Sequence, residues 1–225
     1  MQYGEVSRAV FLERPNRFIA YVELNGKRTV CHVKNTGRCR ELLVPGSGVY
    51  LASGAGVHRK TAWDLIAVEK GDRLINMDAQ APNRVFAEFA ERYEPLTRVI
   101  RPEVQIGDSR LDFRLELMDG CFHYVEVKGV TLEENGNAFF PDAPTERGVK
   151  HLRELIRLRH EGHCATAFFV IQMSDVNAFS PNDRTHPAFG EALRKAAAAG
   201  VRIEAYSCRV TPNTIEIDRP VPVLL

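Results

Sequence analysis

No run in this 225-residue sequence approaches eighteen consecutive apolar residues, so no membrane-spanning helix is expected. The N-terminus, Met1-Gln2-Tyr3-Gly4-Glu5, has no basic segment leading into an apolar core. That excludes a secretory signal and points to a cytoplasmic protein. Cysteine is sparse, odd in number and scattered, at Cys31, Cys39, Cys121, Cys164 and Cys208. No Cys-x-x-Cys occurs, so neither a zinc knuckle nor a disulfide framework is indicated. Net charge is only +1, which excludes a strongly basic or acidic chain. Internal repeats and low-complexity tracts are lacking too.

What charge there is lies unevenly. Residues 1–80 carry 12 Lys/Arg against 8 Asp/Glu, a net of +4, whereas residues 81–225 carry 18 against 21, a net of −3. A basic first third suits a polyanion-binding module. An acidic remainder suits metal ligands. Apolar residues make up 44% of the chain, enough for a packed core in one large or two small domains.

The most informative residues are Asp112, Glu126 and Lys128: a lone Asp, then thirteen residues, then Glu-x-Lys. Leu111, Phe113, Leu115 and Leu117 alternate with Arg110, Asp112, Arg114 and Glu116, the period of a strand with one buried face. Residues 122–130, rich in aromatic and β-branched types, read as a second strand. Met118-Asp119-Gly120-Cys121 between them is a hairpin signal. Two carboxylates that meet can hold a hard divalent cation, Mg²⁺ or Mn²⁺. With a nearby ammonium they form a kit for metal-assisted phosphodiester cleavage. Register decides whether they meet, because only residues on one face of the pair can converge. A two-residue turn at Asp119-Gly120 sets Asp112 opposite Val127 and sends the carboxylates to opposite faces. A three-residue loop, Asp119 to Cys121, sets Asp112 opposite Lys128 and diagonal to Glu126. The metal reading therefore requires an odd loop or a bulge; otherwise these are solvated charges on a two-sided strand pair.

Along the chain, five short β-rich runs fill the first eighty residues: 6–12, 18–24, 28–33, 48–53 and 62–69. Asn25-Gly26 joins the second and third as a hairpin turn. These runs predict a small barrel, oligonucleotide-binding (OB) or SH3-like. From residue 81 the order is helix, three strands, helix, strand, helix, strand. The helices span about 81–92, 145–161 and 187–199, with Thr145 as an N-cap and Gly162 and Gly200 as stops. The run 165–173 is almost wholly apolar and predicts a strand buried on both faces. An antiparallel meander joined to further strands through helical crossovers is the arrangement of the PD-(D/E)xK nuclease fold, with Asp112 and Glu126-x-Lys128 on its second and third core strands. We therefore expect an α/β (α+β) protein with an OB-like barrel over residues 1–80 and a PD-(D/E)xK nuclease-like mixed sheet over 81–225.

Several segments resemble the sugar fermentation stimulation protein A (SfsA) family over nearly the whole chain. They are Glu126-Val-Lys-Gly-Val-Thr-Leu132, Phe140-Pro-Asp-Ala-Pro-Thr-Glu-Arg-Gly-Val-Lys-His-Leu152, Asn35-Thr-Gly37, Ser109-Arg-x-Asp-Phe113 and Ala196 to Val201. The resemblance implies the same two domains, DNA binding with little sequence preference, and a regulatory role in sugar (maltose) metabolism. It brings no established enzymatic activity. The sequence departs from the family pattern at Pro144, where Val is usual. It departs again at Lys34-Asn35-Thr36-Gly37-Arg38-Cys39, where Pro-Asn-Thr-Gly-Ser-Met is common, which changes the charge of that loop.

Two readings of different class follow. In one the protein binds DNA without cleaving it. In the other it is a metal-dependent phosphodiesterase on DNA or RNA. There Asp112, Glu126 and the Val127 carbonyl hold the cation and Lys128 positions the attacking water. A sugar-responsive regulator lacks any visible sugar pocket. Glu103, on the preceding strand, is either an outer carboxylate of the metal site or a solvated residue. Arg38, Arg40, Arg59 and Lys60, in two Gly-flanked barrel loops, are candidates for tracking a sugar-phosphate backbone. Phe18 and Trp63 near them are expected in the core. Arg147 and Lys150, in the first turns of a helix, are candidates for phosphate contact. Asp142 is a turn former or a substrate-positioning residue. His160-x-x-His163 has no third ligand, and Gln172 is expected to end its sheet. The oligomeric state is left open.

Overall fold

The computed structural model describes residues 1–35, 37–54 and 61–225. The first domain is built from β1 (Val6–Glu13), β2 (Ile19–Leu24), β3 (Lys27–Val33), β4 (Gly48–Ser53), β5 (Trp63–Lys70) and β6 (Arg73–Asn76). Asn25 and Gly26 both adopt positive φ, 52° and 71°, as a type I′ hairpin turn between β2 and β3 requires. β1 pairs with β2 and β4, and β4 with β5. Parallel pairing of β3 with β5, at His32↔Asp64 and Val33↔Leu65, closes the barrel. The closed order 1-2-3-5-4 is the OB arrangement and resolves the barrel type that periodicity left open. Inward residues such as Ala20, Val22, Cys31, Val49, Leu51 and Leu65 are wholly buried. β6, which the sequence reading did not separate, adds an antiparallel strand on β5 and leads to the second domain.

That domain begins with α1 (Ala81–Tyr93), followed by β7 (Thr97–Ile106), β8 (Ser109–Leu117) and β9 (Phe122–Val130). Next come β10 (Leu132–Glu134), β11 (Asn137–Phe140), α2 (Glu146–His160), β12 (Cys164–Ile171), β13 (Ala178–Pro181), α3 (Pro187–Ala198), β14 (Arg202–Val210) and β15 (Ile215–Val221). The main sheet has the order β15-β14-β12-β9-β8-β7. β12 is parallel to both neighbours, and every residue from Ala165 to Ile171 is buried, as its unbroken apolar run predicts. Thr145 caps α2, its hydroxyl accepting from the Gly148 N–H, and Gly162 ends it at φ +91°.

Two features went unread in the sequence. Asn135-Gly136, both at positive φ, turns β10 into β11, and β13 joins that hairpin as a third strand. The segment after residue 214, which reads in the sequence only as an extended tail, forms an edge strand on β14.

The domains are not strung on a free linker. One apolar cluster runs from the barrel interior to the α2 and α3 side of the sheet. Glu133 bonds Lys70 and Arg73 across the junction. Gln172 donates to Asn76 Oδ1 and the Asp78 carbonyl. Among the described residues no helix is long and apolar enough to cross a membrane.

Candidate cation site on the central sheet

The β8–β9 loop has three residues, Met118 to Gly120. Leu117 N–H bonds the Cys121 carbonyl at 2.9 Å, and Glu116 faces Phe122. Gly120 takes φ +84°, the left-handed conformation common in three-residue hairpins. The loop is odd, as convergence requires, but it starts one residue earlier than expected. Continuing the register Phe113↔Val125 by one residue sets Asp112 directly opposite Glu126, not Lys128. The ladder is interrupted there. Val127 N–H donates to Asp112 Oδ2 at 2.8 Å instead of to a β8 carbonyl. Asn83, in the first turn of α1, donates to Asp112 Oδ1 at 2.9 Å. Because a strand residue's N–H and C=O point to the same side, the Val127 carbonyl faces the same gap.

Glu126 is only 2% exposed. Its Oε1 accepts from Lys128 Nζ and from His151 Nδ1. Arg147 Nε donates to His151 Nε2 at 3.3 Å. Since arginine only donates, Nε2 must accept and the His151 proton sits on Nδ1, aimed at Glu126. Glu126 Oε2 is buried without a hydrogen-bond partner. A buried carboxylate oxygen left bare is costly, and a bound cation would satisfy it.

The two carboxylates titrate differently. Burial pushes the Asp112 carboxyl up and the charge of Glu126 adds to it, while Lys128, Asn83 and the Val127 N–H oppose without cancelling. Burial pushes Glu126 up as well, but the hydrogen bond from His151 and the charge of Lys128 outweigh it, and the net shift is down. One carboxylate is thus held as an anion beside another that resists ionising.

Among the described residues no three His, Cys, Asp or Glu side chains gather around one point. The available donors are therefore two carboxylates and a main-chain carbonyl, all oxygen, a set suited to a hard divalent cation completed by water or substrate.

The other sequence candidates fall as follows. Glu103 sits across from Asp112 by register, but its φ is +53° and its exposed carboxylate turns to Arg110 at 3.4 Å. Lys150 Nζ bonds the Asp108 carbonyl at 2.7 Å, and Arg147 is exposed beyond its contact to His151. Arg38 and Arg40 are exposed and line a cavity of about 610 Å³. Arg59 and Lys60 lie outside the described residues. Trp63 packs half-buried against the barrel core, whereas Phe18, expected in the core, is 52% exposed. It lies in the turn before β2, where Asn16 Oδ1 accepts from the Phe18 and Ile19 N–H groups, so the alternation that buries Ala20 and Val22 does not extend to it. Asp142 lies against the Asn35–Gly37 loop, so close that a Cβ on Gly37 would meet its Oδ2 at 2.7 Å. Gln172 does more than end the sheet, since its amide ties the sheet to the barrel. His163 packs on Phe122 and Tyr124. Sequence reading gave Asn83 and His151 no role at the site. His151 had a faint signal as a lone histidine on the inner face of α2.

Residues 80–214 match the profile of the sugar fermentation stimulation protein RE domain, and residues 12–77 that of the SfsA N-terminal OB domain. The chain belongs to the sugar fermentation stimulation protein family. A sugar fermentation stimulation protein homolog of Desulfitobacterium hafniense (strain Y51) is 55% identical over 217 residues, covering 96% of this chain and 95% of the relative. The homolog of Ruminiclostridium cellulolyticum is 49% identical over 227 residues and the whole of both chains. The structure of Pyrococcus furiosus SfsA in complex with Ca²⁺ superposes with a TM-score of 0.90 at 29% identity, over 100% of this chain and 98% of that one. Both domains of this SfsA-family chain, the OB barrel and the nuclease-like mixed sheet, are thus matched by the family's models and by the Pyrococcus structure.

Proposed function

We propose that the protein binds DNA with little sequence preference and holds a divalent cation, Mg²⁺ or Mn²⁺, between Asp112, Glu126 and the Val127 carbonyl. The observation that carries this reading is the bare, buried Glu126 Oε2, on a residue set opposite Asp112 by strand register. The Ca²⁺ in the Pyrococcus relative supports it, because Ca²⁺ and Mg²⁺ both take oxygen ligands. The basic barrel domain supports the DNA half, and the family's name supports a regulatory role in sugar metabolism, exercised in the cytoplasm.

A second reading, phosphodiester cleavage of DNA or RNA, is favoured by Lys128, whose ammonium lies against Glu126 at the edge of the site. When bound, a divalent cation supplies positive charge that polarises a phosphate. The chain supplies the rest. Asn83 and the Val127 N–H hold Asp112 in one rotamer. His151 holds Glu126. Lys128, half-buried with its ammonium on Glu126, orients a water and offsets charge developing on the phosphate oxygens.

Purified protein is tested on linear, circular and single-stranded DNA and on RNA, with and without Mg²⁺ or Mn²⁺. DNA binding that falls steeply with salt supports the first reading, and salt-independent binding contradicts it. Cation-dependent cleavage absent from Asp112→Ala, and lost in Lys128→Ala with binding retained, supports the second. DNA binding without cleavage of any substrate leaves the first reading alone.

A further inference from the structure

Resting on the nucleic-acid reading above, we propose that the cavity of about 610 Å³ at the junction of barrel and second domain seats one unpaired nucleotide of a single strand. The cavity opens between the β1–β2 loop, the segment joining β3 to β4, and Ala143 of the second domain. Its size suits a ligand of nucleotide dimensions. Pro45 is the exposed apolar surface of the floor, backed by the buried Phe11 and Leu43, and Arg17, Arg38 and Arg40 form a cationic rim. None of these three arginines is paired with a carboxylate among the described residues. Glu13, the acidic group in the wall, is already paired with Arg28. The uncompensated charge therefore favours an anion, and the floor favours a flat apolar body. A nucleotide offers both.

The cavity is built in advance of any ligand. Arg14 donates to the carbonyls of Asn35, Gly37 and Arg38 at 2.7, 2.8 and 2.9 Å, and to that of Arg17 at 2.8 Å. One guanidinium thus clamps the β1–β2 loop to the β3–β4 segment, and both rims are held before binding. A preformed site avoids the ordering cost a flexible loop would carry. Phe18, exposed and with the Arg17 guanidinium 5.8 Å from its ring centroid, stands beside the rim as a platform for a neighbouring base.

Strand state follows from shape. A duplex keeps its bases stacked and presents phosphates and groove edges, so it cannot fill a concave apolar floor; an unpaired nucleotide can. The direction of the strand follows from a second cavity of about 340 Å³. It shares Gly37 and Ala143 with the first and reaches Gly129, the residue after Lys128. A strand seated on the barrel can therefore continue across the junction to the central sheet at Gly129.

The test measures fluorescence anisotropy of a short labelled oligothymidine and of a blunt duplex of equal length, in EDTA to prevent cleavage. Wild type is compared with Arg17→Ala, Arg38→Ala and Arg40→Ala. All three side chains are exposed, and thermal melts check that folding is retained. Single strand is expected to bind about tenfold more tightly than duplex. Each variant is expected to weaken single-strand binding several-fold and to lower the slope of log K against log salt by about 0.7. Thymidine monophosphate is expected to compete with the oligomer. Equal binding of both forms, weakened alike by the variants, would overturn the unpaired-nucleotide seat and leave general DNA binding standing. Single-strand affinity and salt slope unchanged in all three variants would overturn the cavity as the seat. Failure of wild type to bind either form would sink the nucleic-acid reading itself.

Discussion

β9 carries two buried histidine–carboxylate pairs three residues apart in sequence, and they have opposite characters. At one end, His123 is 0% exposed. Its Nδ1 bonds Glu94 at 3.2 Å and its Nε2 meets Thr166 Oγ1 at 2.8 Å, which in turn meets Tyr93 OH at 3.1 Å. The order of donation runs Tyr93 to Thr166 to His123 to Glu94, and each linking atom finds a partner. At the other end, Glu126 shares one oxygen between Lys128 and His151 and leaves the second bare. The first network has a hydroxyl–imidazole–carboxylate geometry, yet no substrate reaches Thr166, which is also 0% exposed. Geometry of polar groups does not mark a site by itself. A bare carboxylate oxygen beside a second carboxylate and a main-chain carbonyl is the stronger mark. A satisfied buried network holds structure together; an unsatisfied one costs stability and is retained for what it binds.

The sharpest break between the two regions comes from Glu126→Gln. It is expected to lower Mn²⁺ affinity, read by electron paramagnetic resonance, at least about a hundredfold while the melting temperature moves little. Retained Mn²⁺ binding would place the cation elsewhere.

Exchanging the histidines should dissociate the two roles. His123→Ala is expected to cost about 3 kcal/mol in urea unfolding, because Thr166 and Glu94 lose buried partners, with Mn²⁺ affinity unchanged. His151→Ala is expected to lower Mn²⁺ affinity about tenfold by freeing Glu126, with the smaller loss of stability. The same profile from both variants would erase the distinction.

Acid should find the structural region first. Burial, helped by the charge of Arg202, pulls His123 down to about 4 from 6.5, against the opposing pull of Glu94. The folded state favours neutral His123, so this stabilisation is complete above about 6.5 and is lost as pH falls toward about 4. Glu133 behaves likewise at lower pH. Burial raises it, but Lys70, the Gly136 N–H and Arg73 bring it down to about 2 from 4.5, so its contribution fades between those values. Urea unfolding from pH 7 to 4 should show the first loss, and a His123→Gln variant should flatten it.

The smallest effect is expected at Arg147, which touches the site only through His151 Nε2. Arg147→Ala should weaken Mn²⁺ binding only about twofold, in line with one exposed hydrogen bond. A loss as large as that of His151→Ala would mean that Arg147 contacts the ligand directly.

Much of this was legible in residue order. The strand runs 6–12, 18–24, 28–33, 48–53 and 62–69 agree with β1 to β5 to within a residue or two. Asn25-Gly26, Thr145 and Gly162 act as their chemistry dictates. Asn135-Gly136 carries the same hairpin signal as Asn25-Gly26, but its flanking strands are only three and four residues long, too short to show a period of two. Phe18 misled because it shares the parity of the buried Ala20 and Val22, yet it sits in the Asn16 turn before β2, where alternation no longer holds.

Periodicity and turn chemistry are local, and by themselves they determined the strands, the helix ends and the parity condition under which Asp112 and Glu126 could meet. The loop frame, one residue from the expected one, was set by the pairing of whole strands, because register answers to every side chain along β8 and β9 at once. Barrel type was likewise decided by a single long-range pairing, β3 with β5. His151 and Asn83 reach the carboxylates from two helices on a sheet neither belongs to, and Arg14, Gly37 and Ala143 meet at one cavity from three distant stretches of chain. Such contacts leave no period in a sequence. They exist because apolar packing brings remote segments together, and only the tertiary structure decides which polar groups are carried along.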